Sequence, residues 1–384
     1  MTKPYIKIAN IIEEGRYGGP QVRIVSVAEK LKNERIETVV ICPEKNSERL
    51  YTEAVSKKVK VCRLPMHRLS KSPLTVLKYL FTFPGEVLSL YKIIKKEKVH
   101  IMHCNSARQF KGVVAGSLAR KKVIWHLNDT TVIFIINLVF KLLALTLCDA
   151  FITAGEKVRV YYLSDGSLSE RQIIEIQAPV DISVFNPDTA KEDRNIASFS
   201  GLKIITVGNI NPLKGIEYFI KMASILNKKY NNIVFFVVGS HLTNQRKYSE
   251  KAVALVKTYR VKRFHFYGPS DNILSVLKAT DIYVCSSIAE ASPISVWEAM
   301  SMAKPIVSTD VGDVAKFIKN GESGFVVPIK DAEAMAEKTG LLIESVKLRE
   351  RFGQKAREEA IKHLDLNICV KRHARFYREI IDHP

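Results

Sequence analysis

The sequence predicts an α/β fold built twice, each time around a parallel sheet, and three observations carry that prediction. The chain has 384 residues, too many for one domain at roughly 150 residues each. Hydrophobic residues make up 47 %, enough to bury two cores and to exclude global disorder. Short Val- and Ile-rich runs alternate with longer segments of helical period from end to end. Near-continuous apolar strands separated by helices make parallel sheets covered on both faces.

In chain order, strands are expected at 5–9, 38–41, 59–63, 101–104, 123–126, 150–153 and 173–176. They resume at 203–207, 233–238, 264–266, 281–285, 305–308 and 324–327. Between the two series lies 186–200, which is polar, lacks an apolar period and is the expected domain boundary. The domains are thus 1–190 and 200–365. The tail 366–382 has helical apolar spacing at Ile368, Phe376, Tyr377 and Ile380, and should return to the first domain. The apolar stretch 131–147 is short for a bilayer span and sits between two strands of one sheet. It reads as a buried or membrane-facing helix rather than a spanning one.

The start of the chain has no long apolar run before a small-residue cleavage site, so a secretory signal is not expected. The six cysteines lie far apart with no CxxC pair, which argues for reduced thiols in the cytoplasm and against a zinc site. The net charge is +20. Most of the excess is regional: 54–128 holds sixteen Lys and Arg against two acidic residues, Glu86 and Glu97. Such a block suits a polyanion, either nucleic acid or an anionic membrane surface. Arg63, Arg68, Lys71 and Lys78 flank the apolar piece 74–83, a mixture suited to interfacial helices.

The strongest constellation is 285–305. A strand ends, Glu290 lies on a loop, and Ser292-Pro293 should open a helix with Ser292 as cap. The amides of Ile294, Ser295 and Val296 would then receive an anion. Glu298, one turn deeper, suits vicinal hydroxyls such as those of a ribose better than a phosphate. A second element, 203–215, places Gly208, Asn209 and the cation Lys214 at the carboxyl edge of the second sheet, where open α/β folds bind ligands. In the first domain, 13–20 puts Arg16, Gly18 and Gly19 ahead of a helix begun by Pro20. His126 and Asp129 close another strand there, and His126 is expected to face the same crevice. Taken singly, these features have plainer readings as a helix cap, a solvated lysine or a core histidine.

The run Glu290-Ala-Ser-Pro-Ile-Ser-Val-Trp-Glu298 resembles the E-x7-E motif of glycosyltransferase family 4, enzymes of the GT-B fold. The text that follows it, the Gly208 to Lys214-Gly215 element, the Gly18-Gly19 loop and Ala178-Pro-Val-Asp181 with Phe185 resemble further family features. The resemblance covers essentially the whole chain and points to bacterial surface-polysaccharide glycosyltransferases. It implies two Rossmann-like domains facing a cleft, with a nucleotide-sugar donor on the second and an acceptor on the first. Carried over, Glu298 would bind the ribose and Glu290 the donor sugar. The backbone at Pro293, Ile294 and Ser295, with Lys214, would hold the diphosphate, and Gly19 would approach it. His126 would contact the sugar at the reacting carbon. The family transfers sugar with retention and without metal, so no cofactor is expected.

Three positions depart from the family pattern. Asn209 stands where Arg is common, so Arg16 would help Lys214 with the diphosphate. Ala291 and Asp313 replace glycines. The expected activity is transfer of a sugar from a UDP- or GDP-sugar to a lipid-linked or polysaccharide acceptor, by a cytoplasmic protein peripheral on the inner face of the membrane. A nucleotide-sugar isomerase of the 2-epimerase type is the alternative enzyme. A basic nucleic-acid-binding protein ranks last, because the aromatic residues are not interleaved as stacking platforms.

Overall fold

The computed structural model describes residues 4–69 and 72–382, so Lys71 lies outside the described residues. The chain divides after Ala178 and again after Asp365 into two compact units, the last stretch joining the first.

The first unit holds strands β1 (Ile6–Ile11), β2 (Ile36–Pro43), β3 (Lys60–Leu64), β4 (Ile101–Asn105), β5 (Lys122–Leu127), β6 (Ala150–Thr153) and β7 (Gln172–Glu175). They pair in parallel in the order β3-β2-β1-β4-β5-β6-β7. Helices α1 (Gly19–Leu31), α2 (Glu48–Ser56), α3 (Pro73–Lys96), α4 (Phe110–Leu118), α5 (Phe134–Leu147) and α6 (Glu156–Leu163) supply the crossovers. The C-terminal helix Leu366–Asp382 buries Val370, Ala374, Tyr377 and Ile380 against Ile8, Ile101 and Ile152 of this sheet.

The second unit holds β8 (Leu202–Val207), β9 (Ile233–Val238), β10 (Phe264–Gly268), β11 (Ile282–Cys285), β12 (Ile306–Thr309) and β13 (Phe325–Val327). Their order is β10-β9-β8-β11-β12-β13, again parallel. Each expected strand is present, shifted by a few residues at most. Buried Val and Ile on both sheet faces explain why apolar runs alone located them.

The boundary falls earlier than 186–200. The Phe185 carbonyl accepts from the Ser301 hydroxyl at 2.7 Å, and the Asp193 amide donates to Ser275 O at 3.0 Å. Ile196 is fully buried in the second core and Phe199 packs on Phe236. A polar composition concealed these two anchors, so 179–200 belongs to the second unit.

The basic segment 54–128 is less uniform in space than in sequence. Lys57 meets Glu29, Lys60 meets Glu97, Lys122 approaches Asp149 and Arg68 meets Glu14. Most of these carboxylates come from outside the segment. Of the two readings of 131–147, the buried one fails: in helix α5 only Phe140 and Ala144 are buried, whereas Phe134 is 81 % exposed. Among the described residues, no helix is long and apolar enough to cross a membrane.

Candidate active site

In the second unit the strand order reverses between β8 and β11, so the loops leaving these neighbours diverge and open a crevice at the carboxyl edge. Both loops carry residues singled out above. After β8, the Gly208 amide donates to Val238 O at 2.9 Å, and exposed Asn209 accepts from the Ser240 amide at 3.1 Å. Asn211 then caps a short turn through the Leu213 amide at 2.9 Å. Gly215 follows at φ +58, reversing the chain into the helix Ile216–Asn227. A Cβ on Gly215 would lie 2.1 Å from Ser286 O, so glycine alone lets the two loops touch.

That seam is specific. The Ile288 amide donates to Leu213 O at 2.8 Å and the Ser286 hydroxyl to Lys214 O at 3.0 Å. The Thr309 hydroxyl braces the loop from β12 by donating to Ser287 O at 2.6 Å. The result is an ion pair across the crevice: Lys214 Nζ lies 2.7 Å from Glu290 Oε1, which also accepts from the Ser287 hydroxyl at 2.8 Å. Burial disfavours the Lys214 ammonium, but Glu290 beside it outweighs that and holds its pKa above the usual lysine value. Burial pushes the half-buried Glu298 carboxyl up to about 8, against the opposing pull of Lys214. Ser286, Ser287 and Thr309 were not singled out in the sequence. Their only signal was a Ser-Ser pair directly after a strand.

The helix mouth differs from expectation by one residue. Pro293, not Ser292, is the N-cap of the helix Ile294–Ser301, and Ser292 Oγ instead accepts from Trp297 Nε1 at 3.0 Å. The buried indole N–H needs an acceptor and takes the oxygen that a cap would have used. The amides of Val296 and Trp297 both donate to Pro293 O, at 2.9 and 3.2 Å. Val296 is therefore not available to an anion. Ile294 and Ser295 open the helix outside its ladder.

Two departures from the family pattern prove harmless to the backbone. Ala291 is not among the residues with positive φ, so no glycine is required there. Gly312 takes φ +51 and packs so tightly that its Cβ would meet Ala291 O at 2.6 Å, while Asp313 sits at φ −103.

The first unit is arranged differently. Gly18 is extended, Gly19 begins α1 and Pro20 follows in its first turn. Arg16 Nη2 lies 2.8 Å from Glu14 Oε2, and the same carboxylate takes Arg68. His126 does not face a crevice: it is fully buried, correcting the expected direct sugar contact. Its Nδ1 lies 2.7 Å from Arg23 Nη1 and 3.1 Å from His103 Nε2, and His103 in turn meets the Tyr377 hydroxyl at 2.7 Å. Burial, with Arg23 nearby, drives the His126 pKa well below its ordinary value. The C-terminal helix covers this ring, which the strand pattern alone could not reveal. Asp129 does reach the edge, where it accepts from the Tyr162 hydroxyl at 2.6 Å and lies 3.8 Å from Arg108. Among the described residues, no group of three or more His, Cys, Asp or Glu is placed to hold a metal ion.

Comparison with known proteins agrees with this architecture. The model for Glycosyltransferase Family 4 matches residues 17–184, and that for Glycosyl transferases group 1 matches 190–359. The chain is 25 % identical over 370 residues to the Campylobacter jejuni N,N'-diacetylbacillosaminyl-diphospho-undecaprenol alpha-1,3-N-acetylgalactosaminyltransferase, covering 92 % of this chain and 94 % of that protein. It is 26 % identical to an Escherichia coli UDP-Gal:alpha-D-GlcNAc-diphosphoundecaprenol alpha-1,3-galactosyltransferase, over 87 % of each. Among solved structures, Anabaena HepE in complex with UDP and glucose superposes with a TM-score of 0.82 at 16 % identity, over 97 % of this chain and 100 % of that one. Two family models that together span nearly the whole chain, and two parallel-sheet α/β units, make this protein a glycosyltransferase of family 4 with the GT-B fold.

Proposed function

We propose that the enzyme moves a sugar, with retention and without a metal cofactor, from a UDP- or GDP-sugar to a lipid-linked or polysaccharide acceptor in cell-surface glycan synthesis. The observation that carries this reading is the Lys214–Glu290 pair, held at 2.7 Å beside Glu298 and the mouth of the helix Ile294–Ser301. Lys214 and the helix amides complement a diphosphate. Glu298 accepts from ribose hydroxyls, and Glu290 from hydroxyls of the donor sugar. The departing diphosphate itself assists attack by the acceptor on the same face. The names of the relatives, which act on diphospho-undecaprenol substrates, support a lipid-linked acceptor.

The reading also includes a peripheral position on the inner face of the membrane. Leu74 and Phe81 of α3 and Phe134, Ile135 and Leu142 of α5 are all exposed, and Lys78, Lys92, Lys95 and Lys96 lie along α3. Apolar rows beside basic ones suit an interfacial surface.

The test is thermal stabilisation by UDP, GDP and their sugars, followed by transfer assays. Wild-type protein should be stabilised by one nucleotide series, and Glu298→Ala should lose both stabilisation and transfer. Unchanged transfer by Glu298→Ala would overturn the assignment of the donor site.

A further inference from the structure

A groove in the first unit is lined by none of the residues assigned to the donor. It runs between the stretch that follows β3 and one side of α3, has a volume of about 450 Å³, and is lined by Leu64, Pro65, Met66, Phe81 and Gly85 above His67 and Glu86. Its existence depends on an unusual helix. Pro84 and Gly85, the two poorest helix formers, stand together in the middle of the 24-residue α3. Pro84 has no N–H to offer the preceding turn, and a Cβ on Gly85 would meet nothing within 4 Å. The helix gives up stability here to keep a notch open.

The floor of the groove is rigid. His67 Nδ1 lies 2.6 Å from Glu86 Oε1, and the fully buried Lys111 lies 2.6 Å from Glu86 Oε2 and 3.9 Å above the Tyr79 ring. Along α3, exposed Leu74, Leu77 and Phe81 extend the apolar lining away from the notch. At the other end, Arg68 follows the lining residue His67 directly and shares Glu14 with Arg16. Two guanidinium groups share the one Glu14 carboxylate there, on the loop after β1, with buried Glu13 set between Lys111 and Arg68.

From this geometry we infer that the groove binds a polyisoprenyl diphosphate, with its chain along Phe81–Gly85 and its diphosphate at Arg68 and Arg16. An apolar channel with a cationic end fits an amphiphile with an apolar tail and an anionic head. The inference rests on the lipid-linked reading of the acceptor and adds where the lipid is held.

The probe is farnesyl diphosphate, compared with inorganic diphosphate by calorimetry. Wild-type protein should bind the farnesyl compound. Gly85→Leu fills the notch without clashing and restores helix propensity, so it should fold, with UDP binding as the control. It should weaken farnesyl diphosphate about tenfold or more while leaving inorganic diphosphate unaffected. Arg68→Gln should weaken both. In transfer assays, Gly85→Leu should raise KM for a polyprenyl-linked acceptor with kcat kept, and leave a short-chain acceptor unaffected.

A wild-type protein that ignores farnesyl diphosphate, or a Gly85→Leu variant that binds it like wild type, would overturn the inference. So would a Gly85→Leu variant that sediments as a smaller species, because the groove would then hold a second copy of the chain. If the probe behaves as expected but no lipid-linked acceptor is glycosylated, the proposed function fails and the groove assignment stands.

Discussion

The two sheets share a topology but use their carboxyl edges in different ways. In the second unit, both loops at the point of strand reversal carry polar residues, and they meet through Gly215 against Ser286 O and Lys214 against Glu290. In the first unit, polar residues of β4 and β5 turn inward instead. His126 and His103 are buried with Arg23 and Tyr377, while exposed apolar side chains cover α3 and α5. One edge is preorganised for a charged ligand. The other is stiff within and apolar outside, the pattern expected of a surface that receives an amphiphile. The same backbone plan therefore yields two different edges, set by where each unit spends its polar side chains.

Three substitutions would break or sharpen that contrast. The largest effect is expected at Lys214→Ala, which removes the cation and leaves Glu290 without its partner. UDP affinity should fall by about 2–3 kcal/mol, roughly 100-fold, in a calorimetric titration. An unchanged affinity would mean that the edge of the second unit is not organised for a diphosphate.

Next in size, His126→Ala should lower stability to chemical denaturation by about 2 kcal/mol, because Arg23 loses a buried partner. UDP affinity should stay at the wild-type value. A loss of UDP affinity without a loss of stability would return His126 to the ligand site.

A third effect, read as a pH slope, comes from Glu298, whose carboxyl is pushed up to about 8 by burial. In the unfolded chain it ionises near its ordinary value of 4.5, whereas in the fold it stays protonated until about 8. Between these limits the native state binds more protons, so the contribution of this group to stability declines as pH rises from about 4.5 to 8. Denaturation midpoints at pH 5 and pH 8 should differ more for wild type than for Glu298→Gln. Equal differences would show that Glu298 does not sense burial.

Much of this was legible in the residues because it rests on local rules. Parallel strands buried on both faces leave continuous Val and Ile runs, so all of them could be placed from sequence. Lys214, Glu290 and Glu298 stand on short loops and a helix start beside such strands, and the fold brings them together with little freedom. The errors have equally concrete causes. Ser292 reads as a cap by a local rule that does not see Trp297, five residues on, claiming its oxygen. The boundary reads late in the sequence because Phe185 and Ile196 anchor a stretch whose composition is polar.

What the sequence determined by itself is the pair of α/β units and the identity of the charged groups at the second sheet's edge. Tertiary structure alone decided that His126 is interior, that α5 is exposed rather than buried, and that Pro84-Gly85 opens a groove above His67. The reason is range. Strand runs and helix starts are written within a few residues of the atoms they position, whereas burial of His126 depends on His373, far along the chain. No local pattern records which face a distant helix will cover.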